Sequence, residues 1–343
     1  MEYKLALIGF GNVGQGFAEI LRDRHQWLLE RFGVRFTIVG VADALQGSLH
    51  DPAGLNAGDL LDAVRSPASL GGLEAPDRGW DGARMAEDSR ADVVVELSYT
   101  DLETGEPATS HIRTALEAGK HVVTTNKGPV ALHYAELEEL AAERGLCIGV
   151  EGTVMSGTPA LLVGLNLLRA AGIRRIQGIL NGTCNYILTR MEDGCSYDEA
   201  RTEAQERGFA EADPTGDVEG FDAAGKAVIL GNLLMAGSLS LSVVERTGIS
   251  GLSSDDIQAA AGAGERWKLI GTLEREEERV RAIVRPERVP LSHPLASVGG
   301  ATNAITYTTE VLGDVTLVGP GAGRLETGYA VLTDLLEIHR TCG

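Results

Sequence analysis

LALIGFGNVGQG, Leu5–Gly16, decides how this chain is read. Gly9, Gly11 and Gly14 follow a short apolar run at the spacing G-x-G-x-x-G. After a strand, the first glycine permits a tight turn and the second lets the backbone approach a pyrophosphate. The third lets the following helix pack close to the sheet. That helix then offers unpaired N–H groups and the positive end of its dipole. Lys4–Ile8 reads as the strand and Asn12 to about Leu29 as the helix, so the motif has the context it requires. Gly9, Phe10, Gly11, Asn12, Val13 and Gly14 are therefore candidate cofactor-binding residues. A plain strand–helix turn is the alternative reading of the same glycines.

Outward from this loop, strands and helices alternate. RFTIVGVAD, Arg35–Asp43, is a second strand, and DVVVEL, Asp92–Leu97, is a continuous β-branched run as expected of a strand buried on both faces. Between them, residues 46–87 are polar and glycine-rich, with a short helix near 59–64. Pro107–Ala118 reads as a helix, KHVVTT as a strand, Ala131–Arg144 as a helix, and LCIGV closes the series. The expectation is α/β, a Rossmann-type doubly wound parallel sheet over residues 1–150.

The pattern then changes. Thr158–Ala170 reads as a helix, Arg174–Leu180 as a strand, and Asn185–Glu192, Tyr197–Arg207 and Val218–Met235 as helices. From Lys268 onward come strand-like runs. An α+β substrate and dimerisation domain is expected over 151–305. Residues 306–343 form a C-terminal segment, with a helix over Gly323–His339 that returns to the first domain.

At 343 residues and 43% apolar composition, the chain has material for about two folded domains. A formal charge of −19 argues against nucleic acid or an anionic membrane surface as partner. No stretch approaches the ~20 apolar residues of a membrane span, and no basic, apolar leader opens the chain. Cys147, Cys184, Cys195 and Cys342 show no metal spacing and read as free thiols of a cytoplasmic protein.

Asp43 ends the second strand, where a carboxylate accepts from the ribose 2′-hydroxyl of NAD and repels the 2′-phosphate of NADP. No Lys or Arg follows in Ala44–Gly47, so NAD is slightly favoured. A loop cap is the other reading of Asp43. TTNKGP sets Asn126 and Lys127 at the end of a parallel strand, where ligands bind in such sheets. Downstream, Glu211, Asp213, Asp217, Glu219, Asp222 and Lys226 crowd one stretch. Asp222 and Lys226 are four apart and share a helix face. An exposed ion pair is one reading. The apolar run around the lysine argues for partial burial, which together with a neighbouring carboxylate suits a proton-transfer group.

Taken together, GFGNVGQG, TGEPATSHIRTALEAGKHVVTTNKGPVAL, VEGTVMSGTPAL, ILNGTCNYIL, RGFAEADPTGDVEGFDAAGKAVIL and VGPGAG resemble homoserine dehydrogenases, in the order of that family and across nearly the whole chain. The resemblance implies interconversion of L-homoserine and L-aspartate 4-semialdehyde with NAD or NADP, in the biosynthesis of threonine, methionine and isoleucine. It makes Lys226 the general acid/base, helped by Asp222, with Lys127 beside the nicotinamide. Glu211, Asp217, Gly208, Gly182, Thr183 and Tyr186 would hold the substrate. Ser98, Thr100 and Gly321 would join Asn126 and Lys127 on the cofactor. Glu151, Val154, Ser156 and Thr158 match the family's loop for a monovalent cation, sodium for preference. A homodimer is also implied. Cys184 and Gly216 depart from the family's usual Thr and Ala, and LSYTD differs from its usual cofactor-side stretch. The chain ends at Gly343, earlier than relatives with a regulatory domain, so feedback through such a domain is not expected. Two rivals stand beside this reading. One is another semialdehyde or amino-acid dehydrogenase, of which the acylating kind would use Cys147 or Cys184 as nucleophile. The other is a non-catalytic NAD sensor.

Overall fold

The computed structural model describes residues 1–277 and 279–342. They divide into two compact units, Met1–Gly157 with the C-terminal segment from Gly323, and Thr158–Ala322.

In the first unit the strands are β1 (Glu2–Ile8), β2 (Arg35–Asp43), β3 (Gly47–His50), β4 (Asp77–Arg78), β5 (Val93–Glu96), β6 (His121–Thr124) and β7 (Ile148–Gly149). They form one sheet in the order β4-β3-β2-β1-β5-β6-β7. From β2 through β7 the pairing is parallel, as the alternating pattern predicts. β3 and β4 extend the sheet antiparallel. These two short strands lie in the stretch read as polar loop, where four residues or fewer carry no usable alternation, and the seven-residue helix Gly82–Asp88 begins there too. The chain leaves β1 for β2 on one side and returns to β5 on the other. Ile8 and Glu96 therefore end adjacent strands at the switch point, the place where such sheets bind ligands.

The helix Asn12–Phe32 buries Phe17, Ala18, Leu21 and Leu28 against one face of this sheet, and Gly33 stops it in the left-handed conformation. The C-terminal helix Arg324–Cys342 adds Val331, Leu332, Leu335 and Ile338 to the same core. The two helices approach at glycines: a Cβ on Gly328 would lie 2.6 Å from the Phe17 nitrogen. Trp80, Met85, Ile112, Leu116 and Leu137 cover the other face. Burying one such side chain is worth about 1.5–3 kcal/mol.

One expectation is corrected here. Cys147 and Cys342 are joined as a disulfide, and only Cys184 and Cys195 are free thiols. The two partners are 195 residues apart, and only the return of the last helix to β7 brings them together.

The second unit holds β8 (Ile173–Ile179), β9 (Glu245–Arg246), β10 (Glu265–Glu276), β11 (Arg279–Pro290), β12 (Thr302–Thr309) and β13 (Gly313–Pro320), ordered β13-β12-β8-β10-β11-β9. Every pairing is antiparallel except β9 with β11. The stretch read as one helix over Thr158–Ala170 instead runs as Ala160–Leu162, a π-helical turn Val163–Leu168 and a 3₁₀ turn Arg169–Ala171. The helix expected over Val218–Met235 is two, Thr215–Val218 and Phe221–Met235. They are separated at Gly220, whose φ of 78° suits a residue without a Cβ.

Candidate active site

In the first unit the glycine loop is shaped for a phosphate. Gly9 has φ 101°, and a Cβ there would run into the Leu97 carbonyl. At Gly14 a Cβ would sit 2.7 Å from the Gly9 oxygen, whereas Gly11 has nothing within 4 Å. Gly11 caps the helix Asn12–Phe32 with no side-chain hydrogen bond, and the first turn holds no acidic residue. An uncapped helix N-terminus free of carboxylates and open above a glycine fits a dinucleotide pyrophosphate.

Asp43 is committed to this loop and to its own turn. Its carboxylate accepts from Phe10 N at 2.6 Å and from Leu45 N and Gln46 N, both at 2.9 Å. Three of about four acceptor positions are thereby used, and one is left.

At the ends of β5 and β6 lies a polar network. Ser98 donates its N–H and its hydroxyl to Glu96. Asn126 donates from Nδ2 to the carbonyls of Ser98 and Tyr99, at 3.2 and 2.8 Å. Asn126 Oδ1 accepts from Gly128 N and so caps the short helix that begins at Lys127. A Cβ on Gly128 would strike the Asp101 carbonyl, so the loop after β5 packs directly on that helix. Thr100 is exposed in this loop.

In the second unit the helix Phe221–Met235 carries Asp222 and Lys226, whose Oδ2 and Nζ are 2.8 Å apart and whose side chains are 16% and 9% exposed. Lys226 Nζ also donates to the Leu180 carbonyl at 2.8 Å. The surface-pair reading is therefore set aside. Asn181 joins the cluster: it caps the helix Gly182–Glu192 through Cys184 N, while its Nδ2 donates to Asp217 at 2.7 Å and Asp222 at 3.0 Å. Burial holds the Asp217 carboxyl above its usual range, and the Asn181 hydrogen bond works against that. Thr183 Oγ1 donates to the Phe209 carbonyl. Tyr186 lies tilted against the Phe209 ring at 4.9 Å. Glu211 is exposed, Gly208 turns the chain at φ 74°, and Gly321 lies against Asn303.

Cys184 is fully buried and donates to the Asp217 carbonyl; burial first, then Asp217, pushes its thiol well up. A nucleophilic cysteine needs the opposite shift. Cys147 does have a histidine neighbour, since its N–H donates to His121 Nδ1, but its sulfur is bonded to Cys342.

Glu151, Val154 and Ser156 are buried in the first unit, and Thr158 begins the second. Asp334, itself buried, accepts from Glu151 N at 3.0 Å, and Ser156 Oγ shares a 2.7 Å hydrogen bond with Thr327. Burial, then the neighbouring Glu151, raises the Asp334 carboxyl well above its normal value. Two buried carboxyls, Glu151 on this loop and Asp334 on the C-terminal helix, are oxygen donors of the kind that suits a hard cation.

Sequence reasoning missed Glu96, Asn181, Asn303 and Asp334. Asn181 alone left a signal, as an Asn directly before a helix. Both polar atoms of Asn303 are buried and unpaired among the described residues, and nothing in its strand announces that.

Residues 9–151 match the family described as homoserine dehydrogenase, NAD binding domain, and residues 159–336 the family described as homoserine dehydrogenase. An NAD(+)-dependent homoserine dehydrogenase of Pseudomonas canavaninivorans is 46% identical, covering 99% of this chain and 97% of its own. A homoserine dehydrogenase of Methanocaldococcus jannaschii is 38% identical, covering 98% of each. The crystal structure of a putative homoserine dehydrogenase from Archaeoglobus fulgidus superposes with a TM-score of 0.89, at 36% identity over 98% of this chain and 99% of its own.

Proposed function

The chain belongs to the homoserine dehydrogenase family, and from that premise we propose how its own residues carry out the family's reaction. It is an oxidoreductase that interconverts L-homoserine and L-aspartate 4-semialdehyde with a nicotinamide cofactor. The bound nicotinamide supplies the hydride acceptor, or in reverse the donor. Gly9–Gly14 hold the pyrophosphate and Asp43 the adenosine ribose. Ser98, Thr100, Asn126, Lys127 and Gly321 serve the nicotinamide end.

The observation that carries the catalytic assignment is the buried Asp222–Lys226 pair. Two of the three Nζ–H donors of Lys226 are engaged by Asp222 and Leu180, and the third is left for the reacting oxygen. In homoserine oxidation Lys226, as the neutral amine with its two N–H groups still on Asp222 and Leu180, takes the hydroxyl proton on its lone pair as the hydride leaves carbon; in the reverse direction the ammonium so formed returns that third proton to the carbonyl oxygen. Asp222 orients the amine, and Lys127 supports the same oxygen. Glu211 and Asp217 hold the substrate's ammonium, and the amide end of the helix Gly182–Glu192, with Thr183, receives its carboxylate. Gly208 and Tyr186 complete the pocket.

NAD is preferred over NADP. The absence of Lys and Arg in Ala44–Gly47 supports this, as does the NAD(+) dependence of the Pseudomonas relative. Glu151, Val154, Ser156 and Thr158 hold a sodium or potassium ion, the first beside the carboxyl of Asp334. The protein works as a cytoplasmic homodimer built on the second unit. Exposed Val311 and Leu312 in the turn before its edge strand β13, and Val318 on that strand, support that surface. No described helix is long and apolar enough to cross a membrane.

One assay tests the reading: homoserine-dependent reduction of NAD and NADP side by side, with and without sodium or potassium. Turnover of NAD with the higher kcat/KM is expected. No homoserine-dependent reduction of either cofactor would overturn the assignment.

A further inference from the structure

We propose that Glu96 is a positioning residue for the nicotinamide end of the cofactor, acting through Ser98, Thr124 and Asn126. This rests on the cofactor reading of the first unit. Glu96 ends β5 directly beside Ile8, the last residue of β1, at the switch point of the sheet. Asp43 on β2 marks the adenosine side of that point, so β5 and β6 serve the nicotinamide side.

The carboxylate is completely buried. A buried carboxylate is expensive unless its oxygens are taken up by donors. The three residues before it in β5 are valines, and the sheet core asks for a fourth apolar residue rather than a charge. No Lys or Arg pairs with Glu96 among the described residues. What it has instead are neighbours from the loop after β5, from the helix Ala108–Glu117 and from β6. Oε1 accepts from Ser98 N at 3.2 Å and from Ser98 Oγ, and faces His111 Nδ1 at 3.4 Å. Oε2 faces Thr124 Oγ1 at 3.5 Å.

The chain of contacts closes on itself. Thr124 Oγ1 donates to the Glu96 carbonyl at 3.1 Å and accepts from Asn126 N at 3.0 Å, while Asn126 Nδ2 returns to the Ser98 carbonyl. The ring ties the ends of β5 and β6 to the loop of Ser98 and to the cap of the helix that starts at Lys127. One residue thus fixes two groups on the cofactor's reactive side, Ser98 through its carboxylate and Asn126 through its backbone carbonyl and Thr124. It touches neither substrate nor cofactor, since no part of it reaches the surface.

The test compares NAD with ADP-ribose, which keeps the adenosine and pyrophosphate but lacks the nicotinamide. Dissociation constants are measured by fluorescence titration for wild type, Glu96→Ala and Glu96→Gln. Glu96→Ala should weaken NAD by about 10-fold, the size of one lost hydrogen bond to a charged group, and leave ADP-ribose unchanged. Glu96→Gln keeps an acceptor for Ser98 and should restore most of the NAD affinity. Equal weakening of both ligands, or of neither, would overturn the proposal. Should Glu96→Ala fail to fold, Thr124→Val removes one link of the ring at constant shape. It should lower NAD affinity selectively, and an unchanged NAD affinity there would also sink the idea. Failure of wild type to bind either ligand would instead strike at the cofactor reading itself.

Discussion

Asp222 Oδ2 stands 2.8 Å from Lys226 Nζ, one helical turn earlier on the same buried face, and the lysine also reaches the Leu180 carbonyl. The pair is held from a third side by Asn181, which binds Asp222 and Asp217 together. Lys226→Ala should lower kcat by about 10²–10⁴-fold, the usual worth of a positioned proton-transfer group, while NAD binding stays intact. Asp222→Asn should cost less, about 10-fold. Steady-state kinetics with a cofactor titration check both, and a fully active Lys226→Ala enzyme removes the catalytic assignment.

The glycine loop separates folding from binding. Gly11 has an extended backbone with φ −76° and open space around it, so Gly11→Ala should leave the melting temperature unchanged. The methyl would still stand where the pyrophosphate approaches, raising KM for NAD by about 10-fold or more. Gly9→Ala must place a Cβ against Leu97 at a positive φ. It should destabilise by more than the ~1–3 kcal/mol of a strained backbone. Thermal melts beside NAD kinetics tell the two apart.

Asp217 supplies a pH signature. Its carboxyl is raised in the folded protein by burial, so between about pH 4 and its raised value the unfolded chain releases the proton first. Folding stability carried by this group therefore falls as pH rises through that window, then stays level. Asp217→Asn does not titrate and can still accept from Asn181. The melting temperature of the variant relative to wild type should rise with pH across the window. A flat difference would contradict the raised carboxyl.

Asp334 and Gly149 are coupled. Asp334→Ala leaves the buried Glu151 N–H without its acceptor, at a cost of about 1–3 kcal/mol. Gly149→Ala alone would push a Cβ to 2.5 Å from the Asp334 Cβ. Truncating Asp334 removes the atoms beyond that Cβ and leaves the rest, so the double variant should lose less stability than the two single changes added together. Strict additivity in denaturant unfolding would show that the two sites do not share a strain.

The sequence by itself determined the α/β frame, the phosphate loop and the Asp222–Lys226 pair. Each depends on local spacing: three glycines after a strand, an alternation of apolar runs, two side chains four apart on one helix. The same locality explains the errors. β3 and β4 are too short to show a period, and one glycine at 220 was enough to split a helix that composition made continuous. Tertiary structure alone decided the contacts whose partners are far apart in the chain. Cys147 meets Cys342, Glu151 meets Asp334 and Glu96 meets Thr124 and His111 because the packing of strands and helices brings them to one place. A buried carboxylate reads in sequence like any exposed one. Only the packing around it reveals which oxygens must find donors, and therefore which loops the charge is there to hold.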